Sequence, residues 1–258
     1  MTAGADTVAD MVTTVAGHGV GGSEGSGPTT ESLFAPVRSH STFEETLERL
    51  GTAIKLGLLE PGERLPAERE LCARMEISRS TLRQALTALV QSGHLHALRG
   101  RGGGTFVAEH PPWSPVPSPA LLADWRGACD SRLSVEVGVA MLAAERATPE
   151  AVTALDRLVE AMSDQVDDFE AYRQTDVRLH VGLAQAAASQ RLVTAMTEAQ
   201  GEMTDLIAHI PHPPEVLDWA NAQHARVLAA IRRRNSAQAA QEMAEHLRGT
   251  EHVLAGLL

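Results

Sequence analysis

The 258-residue chain is long enough for two ordinary domains, and its composition, 43% hydrophobic but only 3% aromatic, means that Leu, Ala and Val must fill the cores. No apolar run approaches the ~20 residues of a membrane span, and the N-terminus lacks the basic start and apolar stretch of a signal peptide, so a cytoplasmic protein is expected. The net charge of −11 argues against nucleic acid only as a sum: residues 61–107 hold seven arginines against four acids, whereas residues 111–258 hold twelve bases against twenty acids.

Residues 1–38, rich in Gly, Ser and Thr, cannot bury enough apolar area to offset the entropy of ordering and are expected to be a disordered tail. A helical pattern opens at "STFEETLERLGTAIKLG", with Ser41 or Thr42 as cap, Glu44 and Glu45 in the first turn and Gly57 as stop. After the turn-rich "LLEPGERLP" come a short helix, "AERELCARME", and a second, "SRSTLRQALTALVQSG", capped by Ser78 and ended by Gly93. "HLHAL" and "GTFVA" alternate as strands do, joined by a hairpin turn at "RGRGGG". "HPPWSPVPSP" has five prolines in ten residues and reads as a stiff spacer. Beyond it only helical periodicity remains, over 120–146, 149–165, 168–188, 190–209, 214–233 and 236–257, with Pro149 and Pro214 in first turns and a break and cap at Asn235-Ser236. Cys72 and Cys129 both sit in helix-like apolar patterns; too few for a disulfide framework, they are expected to be buried free thiols.

The expected fold is therefore mainly α: a winged helix-turn-helix DNA-binding domain over 39–108, a Pro-rich linker over 109–119 and an all-α helical bundle over 120–258. In a helix-turn-helix the second helix enters the major groove with its N-terminal residues toward the bases. Here those are Ser78, Arg79, Ser80, Thr81 and Arg83. Arginine's fork reads guanine O6 and N7 together, and hydroxyls suit phosphate oxygens; the alternative is a solvated helix face. The stretch 53–107, with "LPAERE", "SRSTLR" and a glycine-rich wing, resembles the DNA-binding domain of the GntR family of bacterial transcription regulators. That resemblance implies DNA contacts from Arg69, Arg79 and Arg83, with Ser78, Ser80 and Thr81 beside them and the wing tip Arg99, Gly100, Arg101 and Gly102 in the minor groove. It also implies a two-fold symmetric homodimer on a near-palindromic double-stranded DNA operator.

Of eleven histidines, His180, His224 and His246 lie inside helices on otherwise apolar patterns; the other eight fall in the tail, the DNA-binding half, loops or the chain end. Asp176 precedes His180 by one turn, on the same helix face. Alone, that pair could be a surface ion pair, a catalytic pair or half of a metal site. Three imidazoles and a carboxylate on three helices are how bundles build metal sites, and they suit zinc or nickel, with manganese a further candidate.

The spacing, with "DSRLSVEVGVAMLAAERAT" and "HARVLAAIRRRNSAQAAQEMAEHL", resembles the metal-containing ligand domain, called FCD, of the FadR-type branch of GntR regulators. The resemblance implies one divalent ion per chain on Asp176, His180, His224 and His246, a small carboxylate effector, and Arg132 facing it. Arg132 is otherwise read as an i,i+4 pair with Glu136. The chain departs from the family at Leu179, where phenylalanine is usual, and at Gln190, where asparagine is expected. Arg178, between Asp176 and His180, is expected to face away and take no part.

The function expected is a metabolite-responsive transcription regulator acting as a repressor, with no membrane partner. The alternative, a helical metalloenzyme acting on a small carboxylate, has neither an HExxH pattern nor an evident general base, and leaves the DNA-binding half unexplained.

Overall fold

A computed structural model of the chain describes residues 42–100, 102–112, 117–208 and 212–257. The tail expected over 1–38, the cap at Ser41 and the wing residue Arg101 lie outside the described residues. Three helices come first among the described residues: α1 (Thr42–Lys55), α2 (Glu68–Met75) and α3 (Arg79–Gln91). They are followed by an antiparallel hairpin of β1 (Leu95–Leu98) and β2 (Gly104–Val107), with Leu95 opposite Val107 and Leu98 opposite Gly104.

The caps are those the sequence suggests. Ser78 Oγ accepts from Thr81 N at 3.1 Å to start α3. Gly57 after α1 and Gly93 after α3 take positive φ, 66° and 81°, which glycine adopts without strain. Leu50, Ile54, Leu65, Leu71, Leu82, Leu86, Leu89, Leu95 and Val107 form the core of this module.

The second module holds seven helices: α4 (Pro119–Ala123), α5 (Trp125–Arg146), α6 (Pro149–Ser163), α7 (Phe169–Ala186), α8 (Gln190–Ile207), α9 (Pro214–Arg232) and α10 (Ser236–Leu257). The single helix expected over 120–146 is two. Asp124 adopts φ −119° and ψ 30°, outside the helical region, and the break lets Trp125 bury against Met203, Leu206, Ile207 and Leu254. Thr148 and Asp168 cap α6 and α7, and Asn235 accepts from Gln238 N at 3.0 Å to start α10.

Helix α5 runs through the bundle and touches α7, α8, α9 and α10. The largest fully buried side chains are nearly all aliphatic or thioether, among them Leu179, Leu183, Met196, Leu228, Ile231 and Met243. The shortage of aromatics is thus met by Leu and Met, and Leu179 is simply part of this core. No described helix is long and apolar enough to cross a membrane.

Candidate functional site

Four side chains on three helices meet in the bundle. Asp176 and His180 are one turn apart on α7, His224 is on α9 and His246 on α10; their exposures are 7%, 0%, 1% and 5%. One ring nitrogen from each histidine lies within 4.8 Å of the others. His224 Nε2 is 3.1 Å from His246 Nε2 and 3.3 Å from Asp176 Oδ1, while His180 Nε2 is 3.6 Å from the same Oδ1. His180 Nε2 is buried without a hydrogen-bond partner among the described residues, a rare condition for a polar atom in a protein interior.

The outer side of the cluster is organised as a metal site requires. His180 Nδ1 meets Glu136 Oε2, and His246 Nδ1 meets Gln223 Oε1 at 3.2 Å, so each ring's remote nitrogen is held and its Nε2 turned inward. Asp176 Oδ2 is held by Arg173 Nη1, leaving Oδ1 for the centre. A divalent cation fits this donor set: it would satisfy the orphaned His180 Nε2 and relieve two Nε2 atoms that otherwise face each other. Only His224 breaks the pattern, because its Nδ1 has no partner among the described residues.

The charges of two of the three rings agree with that reading; burial would lower the third, His180, but Glu136 and Asp176 outweigh it and raise it to about 9, so an incoming ion must displace its proton. Burial pushes His224 down to about 4 and His246 well below the ordinary histidine value, so both are neutral lone-pair donors at neutral pH. Burial would raise Asp176, but His180 and Arg173 outweigh it and hold it well below the usual carboxylate range. Burial would likewise raise Glu136, yet His180 and Arg132 bring it down to about 2.

Sequence reasoning named the four residues of this cluster and missed their supports. Arg132 does make the i,i+4 pair with Glu136, Nε to Oε1 at 2.7 Å, but both groups are buried and Glu136 is shared with His180 and with Gln200 Nε2 at 2.8 Å. Arg173 is engaged at all three nitrogens: Nε on Thr204, Nη1 on Asp176, Nη2 on Gln200 and Thr204. Spacing offered one clue, Arg173 lying three residues before Asp176; the partners on α8 carry no local signal. A cavity of ≈ 130 Å³ opens onto this cluster, with Arg132, Arg173, Asp176 and His246 in its wall.

In the first module Arg69, Arg79 and Arg99 are exposed, as are Ser78, Ser80, Gly100 and Gly102. The structure brings Ser78, Ser80 and Thr81 together at the N-terminus of α3, with Ser78 Oγ 2.8 Å from each of the other hydroxyls. Ser78 is therefore occupied as a cap. Arg83 Nε pairs with Glu68 Oε2 at 2.8 Å on an exposed face, which leaves its two terminal nitrogens outward.

The wing has a brace that sequence reasoning missed: Arg64 Nη2 donates to Gly103 O at 2.6 Å and its guanidinium lies 6.0 Å from the Phe106 ring. A Cβ at Gly103 would overlap the Leu98 carbonyl oxygen. Gly103→Ala is thus expected to distort the turn and weaken DNA binding several-fold while the bundle's melting temperature stays put; DNA titration and thermal melting check both halves.

Arg178 takes no part in the cluster, as expected, but it is not idle. It faces away from the histidines but donates to Glu60 Oε1 at 2.8 Å and Gly57 O at 3.1 Å, in the turn after α1. Nearby, Gln174 packs on Gly57, and Lys55 pairs with Asp205 of α8 at 2.7 Å. The helix that carries two cluster residues on one face therefore grips the first module with the other. These contacts bypass the Pro-rich spacer, of which residues 113–116 lie outside the described residues.

Comparison with known proteins bears on both modules. The model for bacterial regulatory proteins of the gntR family matches residues 42–107, and that for the FCD domain matches residues 128–249. RmpR, a helix-turn-helix transcriptional regulator of Mycobacterium gastri, is 31% identical over 232 residues, covering 86% of this chain and 83% of its own. A protein assigned as the L-lactate dehydrogenase operon regulator of Escherichia coli (strain K12) is 32% identical over 220 residues, covering 79% and 83%. Among solved structures, E. coli McbR/YncC shares the fold with a TM-score of 0.53 at 18% identity, covering 84% of this chain and 99% of that one. The two sequence relatives are named as regulators rather than enzymes, and the chain belongs with them to the gntR family of bacterial regulatory proteins, in the form that carries an FCD domain: a DNA-binding transcription regulator.

Proposed function

We propose that the protein is a metabolite-responsive repressor. As a homodimer it grips a near-palindromic operator through Arg69, Arg79, Arg83 and the wing, and it releases the operator when a small carboxylate enters the bundle cavity. The observation that carries this reading is the cluster of Asp176, His180, His224 and His246, of which Asp176 and His246 reach a cavity lined also by Arg132. These four residues would hold a divalent ion, zinc or nickel before manganese, which when bound supplies a Lewis acid for a ligand's oxygen.

The surrounding charges favour an anion. The buried groups around the cavity include two carboxylates, Glu136 and Asp176, against two guanidiniums, Arg132 and Arg173. A divalent ion among them leaves an excess of two positive charges in a poorly solvated place, so the ligand that completes the site is negative. Arg132 commits only its Nε among the described residues and so has terminal nitrogens for a carboxylate. The E. coli relative is named for an L-lactate operon, and lactate is a 2-hydroxy acid of this kind.

Release of the operator requires the ligand to prefer the free conformation; a 100-fold preference corresponds to about 2.7 kcal/mol of coupling. Helix α7 is the natural carrier, since Asp176 lies in the cavity wall with His180 beside it in the cluster, while Gln174 and Arg178 face the DNA-binding module. The Arg178–Glu60 pair is exposed, so its loss costs no more than about 1 kcal/mol of stability. Arg178→Ala is therefore expected to keep operator and ligand affinities within about threefold but to shrink the effect of ligand on operator binding. A variant that responds as fully as the parent would remove Arg178 from the coupling.

The reading as a whole is tested by titrating metal-loaded protein with its own upstream DNA in the presence of small carboxylates. At least one should weaken operator binding tenfold or more, and chelation should abolish that response. Operator binding indifferent to every carboxylate and to chelation would end the proposal.

A further inference from the structure

The walls of the bundle cavity say which carboxylates it takes. Resting on the carboxylate reading above, we infer that the effector is a monocarboxylate with an apolar tail, rather than a sugar acid or a dicarboxylate. The charged end of the cavity is formed by Arg132, Arg173, Asp176 and His246; the rest is walled by Phe169, Ile207, Val216, Leu217, Trp219 and Val253.

Among the polar atoms of that wall, most are already spent on the protein itself. Tyr172 Oη donates to Leu217 O at 3.1 Å, and Arg173 is engaged at every nitrogen. His212, stacked on Phe169 with centroids 3.7 Å apart, holds Ile207 O at 2.9 Å through Nε2 and is kept neutral by burial. What stays free among the described residues is the terminal face of Arg132, the amide nitrogen of Gln223 and the hydroxyl of Thr250.

One unspent cation matches one carboxylate. A second carboxylate on the ligand would point at the apolar wall, where no positive group waits. Gln223 and Thr250 could serve one or two ligand hydroxyls, but a longer chain of them would meet the apolar wall, each further buried hydroxyl without a partner weakening binding roughly fivefold to a hundredfold. An apolar tail gains instead, on the order of three- to fourfold per methylene removed from water. Trp219, half exposed and lying over Gly249 so closely that a Cβ there would collide with its ring, is the largest apolar side chain of that wall.

The test uses full-length, metal-loaded protein and calorimetric titration with four probes: 2-hydroxy-4-methylpentanoate, lactate, gluconate and malate. The branched acid is expected to bind at least tenfold tighter than gluconate or malate and several-fold tighter than lactate. In Trp219→Ala the branched acid should lose five- to tenfold while lactate changes little. Gluconate or malate binding as tightly as the branched acid overturns this inference and leaves the carboxylate site standing. If no probe binds, with metal or after chelation, both the inference and the site fall. Equal losses for lactate and the branched acid in Trp219→Ala would also overturn it, since the tail would then not be what Trp219 meets.

Discussion

Purified protein is expected to contain about one divalent ion per chain, and the double variant His224→Ala, His246→Ala is expected to contain none. The two substitutions remove a donor from each of α9 and α10 and leave only the pair on α7, too few to hold a structural or ligand-binding ion. An ion present at a hundred times its dissociation constant adds about 2.7 kcal/mol to the folded state, which for a chain of this size moves the melting temperature by roughly 5–10 °C. Chelation should therefore lower the parent's melting temperature by about that much and leave the variant's unchanged. The variant also replaces two buried neutral imidazoles by smaller groups, so its own melting temperature will fall. The informative quantity is the response to chelator, measured after circular dichroism has shown that the helices persist. Full metal content in the double variant would show that the ion, if present, sits elsewhere.

How much of this could be read from the sequence depends on the range of each interaction. Caps and stops are local, and Ser78, Gly93, Pro149 and Asn235 mark their helix ends where expected. The break at Asp124 was not legible, because nothing in its neighbourhood forbids a continuous helix; burial of Trp125 against α8 and α10 decides it. The four cluster residues were legible because each is a polar residue on an apolar helical stripe. Their supports were not. Glu136 pairs locally with Arg132, which spacing shows, but its second partner is 44 residues away on α7. Arg178 looked idle for the same reason: its partner Glu60 is 118 residues distant, and helix periodicity says only that it faces away from His180. Periodicity gives the face of a helix, and tertiary packing supplies what that face meets.

Arg79→Ala is expected to cost operator affinity more than any other single change on the DNA-binding face. Arg79 opens α3 in the exposed first turn, the part that a recognition helix directs into the major groove, and no described group holds its guanidinium. A bidentate contact to guanine discriminates by roughly 1–3 kcal/mol, and in a two-fold dimer each substitution removes the contact from both half-sites. The loss is then about 2–6 kcal/mol, thirtyfold at the least. Arg83→Ala should follow closely. Its Nε pairs with Glu68, but an exposed pair of this kind contributes no more than about 1 kcal/mol and yields easily to a base. Ser78→Ala serves as the comparison, because its hydroxyl is committed to the cap and its removal costs about 1 kcal/mol through helix stability alone.

Titrations at several salt concentrations separate base reading from phosphate binding. Loss of a base contact leaves the salt slope unchanged and flattens the preference for the operator over scrambled DNA. Loss of a phosphate contact weakens both DNAs equally and lowers the slope by about one unit per contact. Metal content and bundle stability should stay at the parent's values throughout. Should Arg79→Ala and Arg83→Ala both bind the operator as the parent does, α3 is not the helix that reads DNA, and the hydroxyl cluster at its N-terminus is a cap and nothing more.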